Sequence, residues 1–236
     1  MRTLIAYMLK SYSTSQRYFA PVAAIIIFVL FLYTYKPNPV MSSYAATGII
    51  LFIGCAWLGI SFLNHEQAVQ RQVTIVQLRS SVKYSLGGIL TLAVLTSVLA
   101  MLAVMYPVLT GSFAEPAGIY RIALAFAGHL LLGMLGVSLS LFLQTSWVPK
   151  ASYATGLLLI ILILSVSGLK LADLIPGPLV PLLLPPAALL MDAMMHAEER
   201  SLPGLLGTFA HAMAYILLLS AFYLYRSGRM DYGRHL

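Results

Sequence analysis

The sequence predicts an all-α polytopic membrane protein: six transmembrane helices, an N-terminal interfacial helix, and re-entrant external helices between spans five and six. Three observations carry this. Of 236 residues, 60% are hydrophobic and only 9% charged, whereas a soluble domain carries roughly 25% charged residues. Six charge-poor runs are each long enough to cross about 30 Å of hydrocarbon, which takes about 20 helical residues. The runs are continuous rather than alternating, which argues against a transmembrane barrel.

The runs cover 18–35, 44–63, 84–109, 119–143, 153–169 and 205–225. Tyr18, Tyr33, Tyr35, Tyr44, Tyr84, Tyr106, Tyr120, Tyr153, Tyr223 and Tyr225 mark many of their ends, as in an interfacial aromatic belt. Ahead of the first run, 1–17 holds Arg2, Lys10 and Arg17 among Leu4, Ile5, Tyr7, Met8 and Tyr12. That basic, weakly amphipathic segment reads as a helix on the inner leaflet. Ser43 and Ala45 loosely fit a cleavage site, but the first run is longer than a signal-peptide core and a second run follows at once. We therefore read 18–35 as span one.

Orientation follows from charge. With the N-terminus inside, Arg2, Lys10, Arg17, Arg71, Arg79, Lys83, Lys150, Arg226, Arg229 and Arg234 are cytoplasmic. Lys36, Arg121, Lys170 and Arg200 are external, with Glu115, Asp173, Asp192, Glu198 and Glu199; only Glu66 and Asp231 are acids on the inner side. The positive-inside bias places both termini in the cytoplasm. The chain reads as one transmembrane domain over 1–236. Its fifth connection, 171–204, holds Pro176, Pro178, Pro181, Pro185, Pro186 and Pro203 yet is strongly apolar. Proline forbids one long helix, and apolarity forbids a free aqueous loop. The compromise is a pair of short helices dipping into the outer leaflet.

The longest polar interruption is 64–83, a cytoplasmic loop containing Glu66, Gln70, Arg71, Thr74, Gln77, Leu78 and Arg79. Val69, Val73 and Val76 recur at i, i+4 and i+7, which gives a short helix one apolar face. Such a helix can dock a soluble partner. A solvated linker and a helix lying on lipid are the alternatives.

Little else carries chemistry. No phosphate-cradling G-x-x-x-x-G-K-[ST] is present, and the polar segments are too short to hold a nucleotide-binding domain, so the chain does not read as an enzyme. Basic residues are spread over several loops, against nucleic-acid binding. Cys55 lies within an apolar run and reads as a packing residue. Asp192, His196 and Glu199 share one helical face, which suits either a divalent metal or plain solvent exposure. Glu198, Glu199, Arg200, Phe209 and His211 partly resemble membrane-embedded CAAX-type proteases, but the glutamate-to-arginine spacing is wrong. His129 and His211 fall inside spans, where a histidine either titrates or hydrogen-bonds a neighbouring helix; we favour the second. Gly87 and Gly88, Ala123 and Ala127, and Gly136 and Ser140 offer close helix approach, within the chain or between copies.

In layout, and at 66–88 in residues, the chain resembles the permease subunit of ABC-2 type transporters. Val73, Thr74, Ile75, Val76, Gln77 and Leu78 stand where that family often has Gly-Thr-Leu-Glu-Gln-Leu, and Gly87, Gly88 where it has Gly-Lys. Val73, Val76 and Gly88 depart from the pattern. The compact form is similar to permeases of bacterial peptide exporters, including the phenol-soluble modulin exporter and bacteriocin self-immunity systems. The resemblance implies a bacterial plasma-membrane exporter with 64–83 as a coupling helix on a partner ABC ATPase subunit. ATP and Mg would be bound by that ATPase, with no cofactor in this chain. A second permease copy or a homologue would complete the pore, and the substrate would be an amphipathic peptide or lipid. A non-transporting immunity or assembly factor and a proton-coupled carrier are the other readings.

Overall fold

The computed structural model describes residues 1–175 and 182–229, which are helical with no β-strand among them. Helix α1 (Arg2–Thr14) buries Leu4, Met8 and Tyr12, one apolar row at i, i+4 and i+8. It turns through 82° into α2 (Phe19–Leu32), across Gln16 at φ 55°. Helix α3 spans Val40–Leu63, α4 Ala68–Leu78, α5 Ser81–Leu109, and α6 Gly118–Ser140 with a 3-10 turn at Leu141–Leu143. Then come α7 (Ala151–Val166), α8 (Gly168–Leu174), α9 (Ala187–Met195) and α10 (Leu202–Arg229).

Four of these, α3, α5, α6 and α10, are long and apolar enough to cross a membrane. Two expected spans prove shorter than their apolar runs. Helix α2 has 14 residues and α7 has 16. The first stops at Tyr33, ahead of Lys36-Pro37-Asn38-Pro39, because prolines cannot continue a helix. The second stops at Ser167, and α8 leaves it at 67°. Counting each bent pair as one crossing gives six. Helix α5 also starts a turn earlier than its run, because the Ser80 hydroxyl accepts from Lys83 N at 3.2 Å and caps the helix.

Helices α3 and α6 form the central pair. They approach so closely that a Cβ on Gly136 would lie 2.2 Å from the Phe52 carbonyl oxygen, and one on Gly59 would lie 2.0 Å from Ser140 Oγ. The predicted Gly136–Ser140 surface is therefore used within the chain. Ala123 is exposed and takes no part. Helix α5 packs on α6, α2 on α3, and α1 against α5, where Gly87 leaves room for Leu4. His129 bridges the central pair. Its Nδ1 donates to the Ala125 carbonyl at 2.7 Å and its Nε2 lies 2.9 Å from Thr47 Oγ1.

Helix α9 is buried along Ala187, Ala188, Leu190, Ala193 and Met194. Met194 sits against Gly48 and Gly128, some 12–15 Å into α3 and α6 at 1.5 Å per residue. The Tyr215 hydroxyl, near the middle of α10, donates to the Leu183 carbonyl at 3.1 Å. The stretch 182–195 thus lies alongside the long helices rather than above them. Pro176, Pro178 and Pro181 of the predicted re-entrant segment, and Asp231 and Arg234, lie outside the described residues. The first of its short helices begins at Gly168 rather than Leu171, and Leu202–Gly204 belongs to α10.

The two ends of the bundle differ in charge. At one end the connections 33–39 and 110–117 pair, with Asn38 N donating to Ser112 O at 3.0 Å and Ala114 N to Asn38 O at 2.9 Å. There Arg121 bonds Glu115 and Glu198, each at 2.5 Å, and Arg200 bonds Asp192. At the other end lie α1, α4, the 144–150 connection and the last turn of α10. Thr145 N donates to Asn64 Oδ1 at 2.8 Å and the Ser81 hydroxyl to Ser227 O at 3.0 Å. Glu66 is the sole acid at this end among the described residues.

Candidate partner-docking surface

Helices α1 and α4 form an exposed platform of mixed apolar and polar residues on the basic end. Helix α4 forms where 64–83 predicts a short helix, and its valine row points away from the protein. Val69, Val73 and Val76 are 61%, 53% and 74% exposed. A helix this short is marginal on its own, so something must hold it. That anchor is Arg71, only 8% exposed. Its guanidinium donates to the Leu63 carbonyl and, at 3.5 Å, to Ser146 Oγ. Glu66 is equally buried and accepts from the Tyr84 hydroxyl at 2.6 Å.

These two residues differ from the other predicted docking contacts in being buried. As charged members of a polar loop they read as docking contacts; the structure puts both inside, bracing α4 against α3, α5 and the 144–150 connection. Burial of an arginine this way needs hydrogen-bond partners at its head, and the end of α3 supplies one. The other predicted site residues divide between two surfaces. Gln70, Val73, Thr74, Gln77 and Leu78 line a groove of about 550 Å³ with Thr3, Leu4 and Tyr7 of α1. Gln70 Nε2 donates across it to Tyr7 Oη at 3.0 Å. Val76 and Arg79 are exposed outside the groove.

Arg79 ends α4 in the left-handed region, φ 52°, and Ser80 already caps α5. With two residues between the helices, a force on α4 passes directly to α5. The end of α3, to which Arg71 ties α4, is in turn bonded to α1 and the turn after it. Asn64 O accepts from Arg17 Nη1 at 2.5 Å, the Ser61 hydroxyl donates to Arg17 O at 2.9 Å, and the Tyr12 hydroxyl donates to Ser61 Oγ at 3.1 Å. Burial pushes the Tyr12 hydroxyl up to about 12, against the lowering effect of Ser61 and Arg17. It therefore stays protonated, and donating, throughout the physiological range.

Elsewhere the sequence candidates resolve into structural roles. Asp192 pairs with Arg200, and with His196 Nδ1 at 3.0 Å. No group of three or more potential metal ligands occurs among the described residues. Cys55 is buried and its Sγ lies 3.8 Å from Thr96 Oγ1. Periodicity could find the valine row. The anchoring role of Glu66 and Arg71 carried no sequence signal, because burial of a loop charge depends on partners far along the chain. No protein-family model and no curated protein sequence matches this chain.

Proposed function

We propose that this chain crosses a bacterial plasma membrane six times, with both termini cytoplasmic, as the permease subunit of an ATP-driven ABC-2-type exporter. Two copies, or this chain and a homologue, would line a path for an amphipathic peptide or lipid-like substrate. A partner ATPase would supply ATP hydrolysis with Mg. Orientation is supported by the charge difference between the two ends, since basic residues collect on the cytoplasmic side. Re-entrant packing of 171–204 is supported by the depth of Met194 and Leu183, because non-helical backbone at membrane depth needs cover from protein.

One observation carries the reading. Three valines stand exposed on a helix that is itself braced by two buried charges and joined to α5 by two residues. A solvated linker has no need of such bracing. A partner seated on Val69, Val73 and Val76 could move α4, and α3 and α5 would move with it. The test is co-purification of the host's ATPases with this chain, identified by mass spectrometry, followed by ATP hydrolysis in reconstituted complexes. Val73→Asp with Val76→Asp should lower ATPase retention at least tenfold while the protein still folds and inserts. Undiminished retention would remove α4 from docking. If no ATPase binds the wild-type chain, a non-transporting membrane factor takes its place.

A further inference from the structure

A second feature lies on the flank of the bundle. Helices α7 and α10 stand apart over α6 and leave an apolar groove of about 400 Å³. Leu139 and Leu143 form its floor; Leu157, Ile161 and Leu164 of α7 form one wall, and Tyr215 and Leu219 of α10 the other. Both walls continue toward the basic end as unbroken helical rows. On α7 the row runs from Leu164 through Ile161 and Leu157 to Tyr153, whose ring carries Lys150 Nζ at 5.2 Å. On α10 it runs from Tyr215 through Leu219 and Phe222 to Arg226, whose guanidinium lies 5.9 Å from the Trp147 ring. Trp147 neighbours the lining residue Val148.

Each row spans 12 residues, Tyr153 to Leu164 and Tyr215 to Arg226, so its ends lie about 16 Å apart at 1.5 Å per residue. That is about half of a 30 Å hydrocarbon layer, the depth of one leaflet. Both cations at the rim have aromatic faces beside them and no carboxylate in ion-pair range among the described residues. We infer that this groove is a binding site for one anionic phospholipid of the leaflet at the basic end. An acyl chain lies on Leu139, Leu157, Ile161 and Leu219, and the headgroup phosphate sits between Lys150 and Arg226. Basic rims between spanning helices select anionic headgroups by charge, and two cations without a hydrogen-bonded partner among the described residues suit a phosphate. The inference needs the multi-pass membrane reading but is independent of the export reading.

Trp147 makes the site directly observable. With Trp57→Phe, Trp147 is the one tryptophan left. The full-length variant is reconstituted in phosphatidylcholine nanodiscs containing one-tenth brominated phosphatidylglycerol or, separately, one-tenth brominated phosphatidylcholine. Two basic groups near a membrane surface supply roughly a thirtyfold preference for an anionic lipid, so brominated phosphatidylglycerol should quench Trp147 far more strongly. Lys150→Gln with Arg226→Gln, both surface changes, should bring the two lipids to equal quenching while the thermal melt of the apolar core is kept. Leu157→Trp, measured as Trp147→Phe with Trp57→Phe, should be quenched by the same lipid from inside the groove. Equal quenching of wild type by both lipids would overturn the charge assignment. Quenching by neither, with disulfide formation between copies carrying Ile161→Cys, would give the groove to a second copy of this chain and end the proposal.

Discussion

Gly136→Ala adds one methyl group where a glycine of α6 meets the backbone of α3. The new Cβ would lie 2.2 Å from the Phe52 carbonyl oxygen and 3.1 Å from Ala56 N. Ordinary contact begins at 3.4 Å, so α3 and α6 must part by about 1.2 Å. Both neighbours are backbone atoms, so no rotamer change relieves the clash. Overpacking of this kind costs about 1–3 kcal/mol, and the absence of a side-chain escape points to the upper end. For a chain of this size that lowers Tm by about 6–12 °C. Gly88→Ala is the internal control. Its Cβ would meet Phe62 Cε1 at 3.6 Å, and alanine is favoured over glycine in a helix by up to about 1 kcal/mol. Thermal melting of both variants in detergent, followed by loss of the monodisperse peak, gives the comparison. Gly136→Ala melting with wild type, or below it by no more than Gly88→Ala, would refute the close α3–α6 contact.

Four further outcomes follow from named residues. In a Cys55→Ala background, a membrane-impermeant maleimide should label Glu115→Cys on intact cells and Gln77→Cys only after lysis; the reverse pattern would invert the topology. Arg71→Ala should lower stability by about 1–3 kcal/mol, since it strands the Leu63 carbonyl that its guanidinium caps. Arg79→Gly should melt at or above wild type, because a non-glycine residue at φ 52° costs about 1–2 kcal/mol; equal losses in the two variants would contradict their opposite placements. His129→Ala should leave transport intact once corrected for the amount of folded protein, because both ring nitrogens are already engaged by Ala125 and Thr47. Abolished transport with normal folding would favour proton coupling instead.

Much of the architecture is legible in the residues. The long apolar stretches give α3, α5, α6 and α10, and the basic, weakly amphipathic character of 1–17 gives α1 but not which of its residues are buried. The valine spacing gives α4, and it also gives the exposed face. Packing within the membrane is another matter. A helix apolar on every side has no stripe to indicate its partner. Gly136 and Ser140 could be flagged as small, but their neighbours Phe52 and Gly59 could not be named. The breaks at Tyr33 and Ser167 are hidden inside continuous hydrophobic runs. Glu66 and Arg71 sit in a polar segment, and only the fold shows that Tyr84 and Leu63 await them. The groove between α7 and α10 has no sequence trace at all, since its walls come from helices about 60 residues apart.

Site-specific photo-crosslinking probes the α4 platform in native membranes. A benzophenone side chain replaces Val76, exposed on α4, and in a second protein Val98, exposed at mid-length of α5. Val76 is expected to capture a nucleotide-binding ATPase subunit, identified by mass and by its own phosphate-binding sequence, with yield changing when ATP is added. Val98 should capture lipid. If Val76 yields lipid alone, in the manner of Val98, the valine row lies on the bilayer surface and the coupling role is wrong.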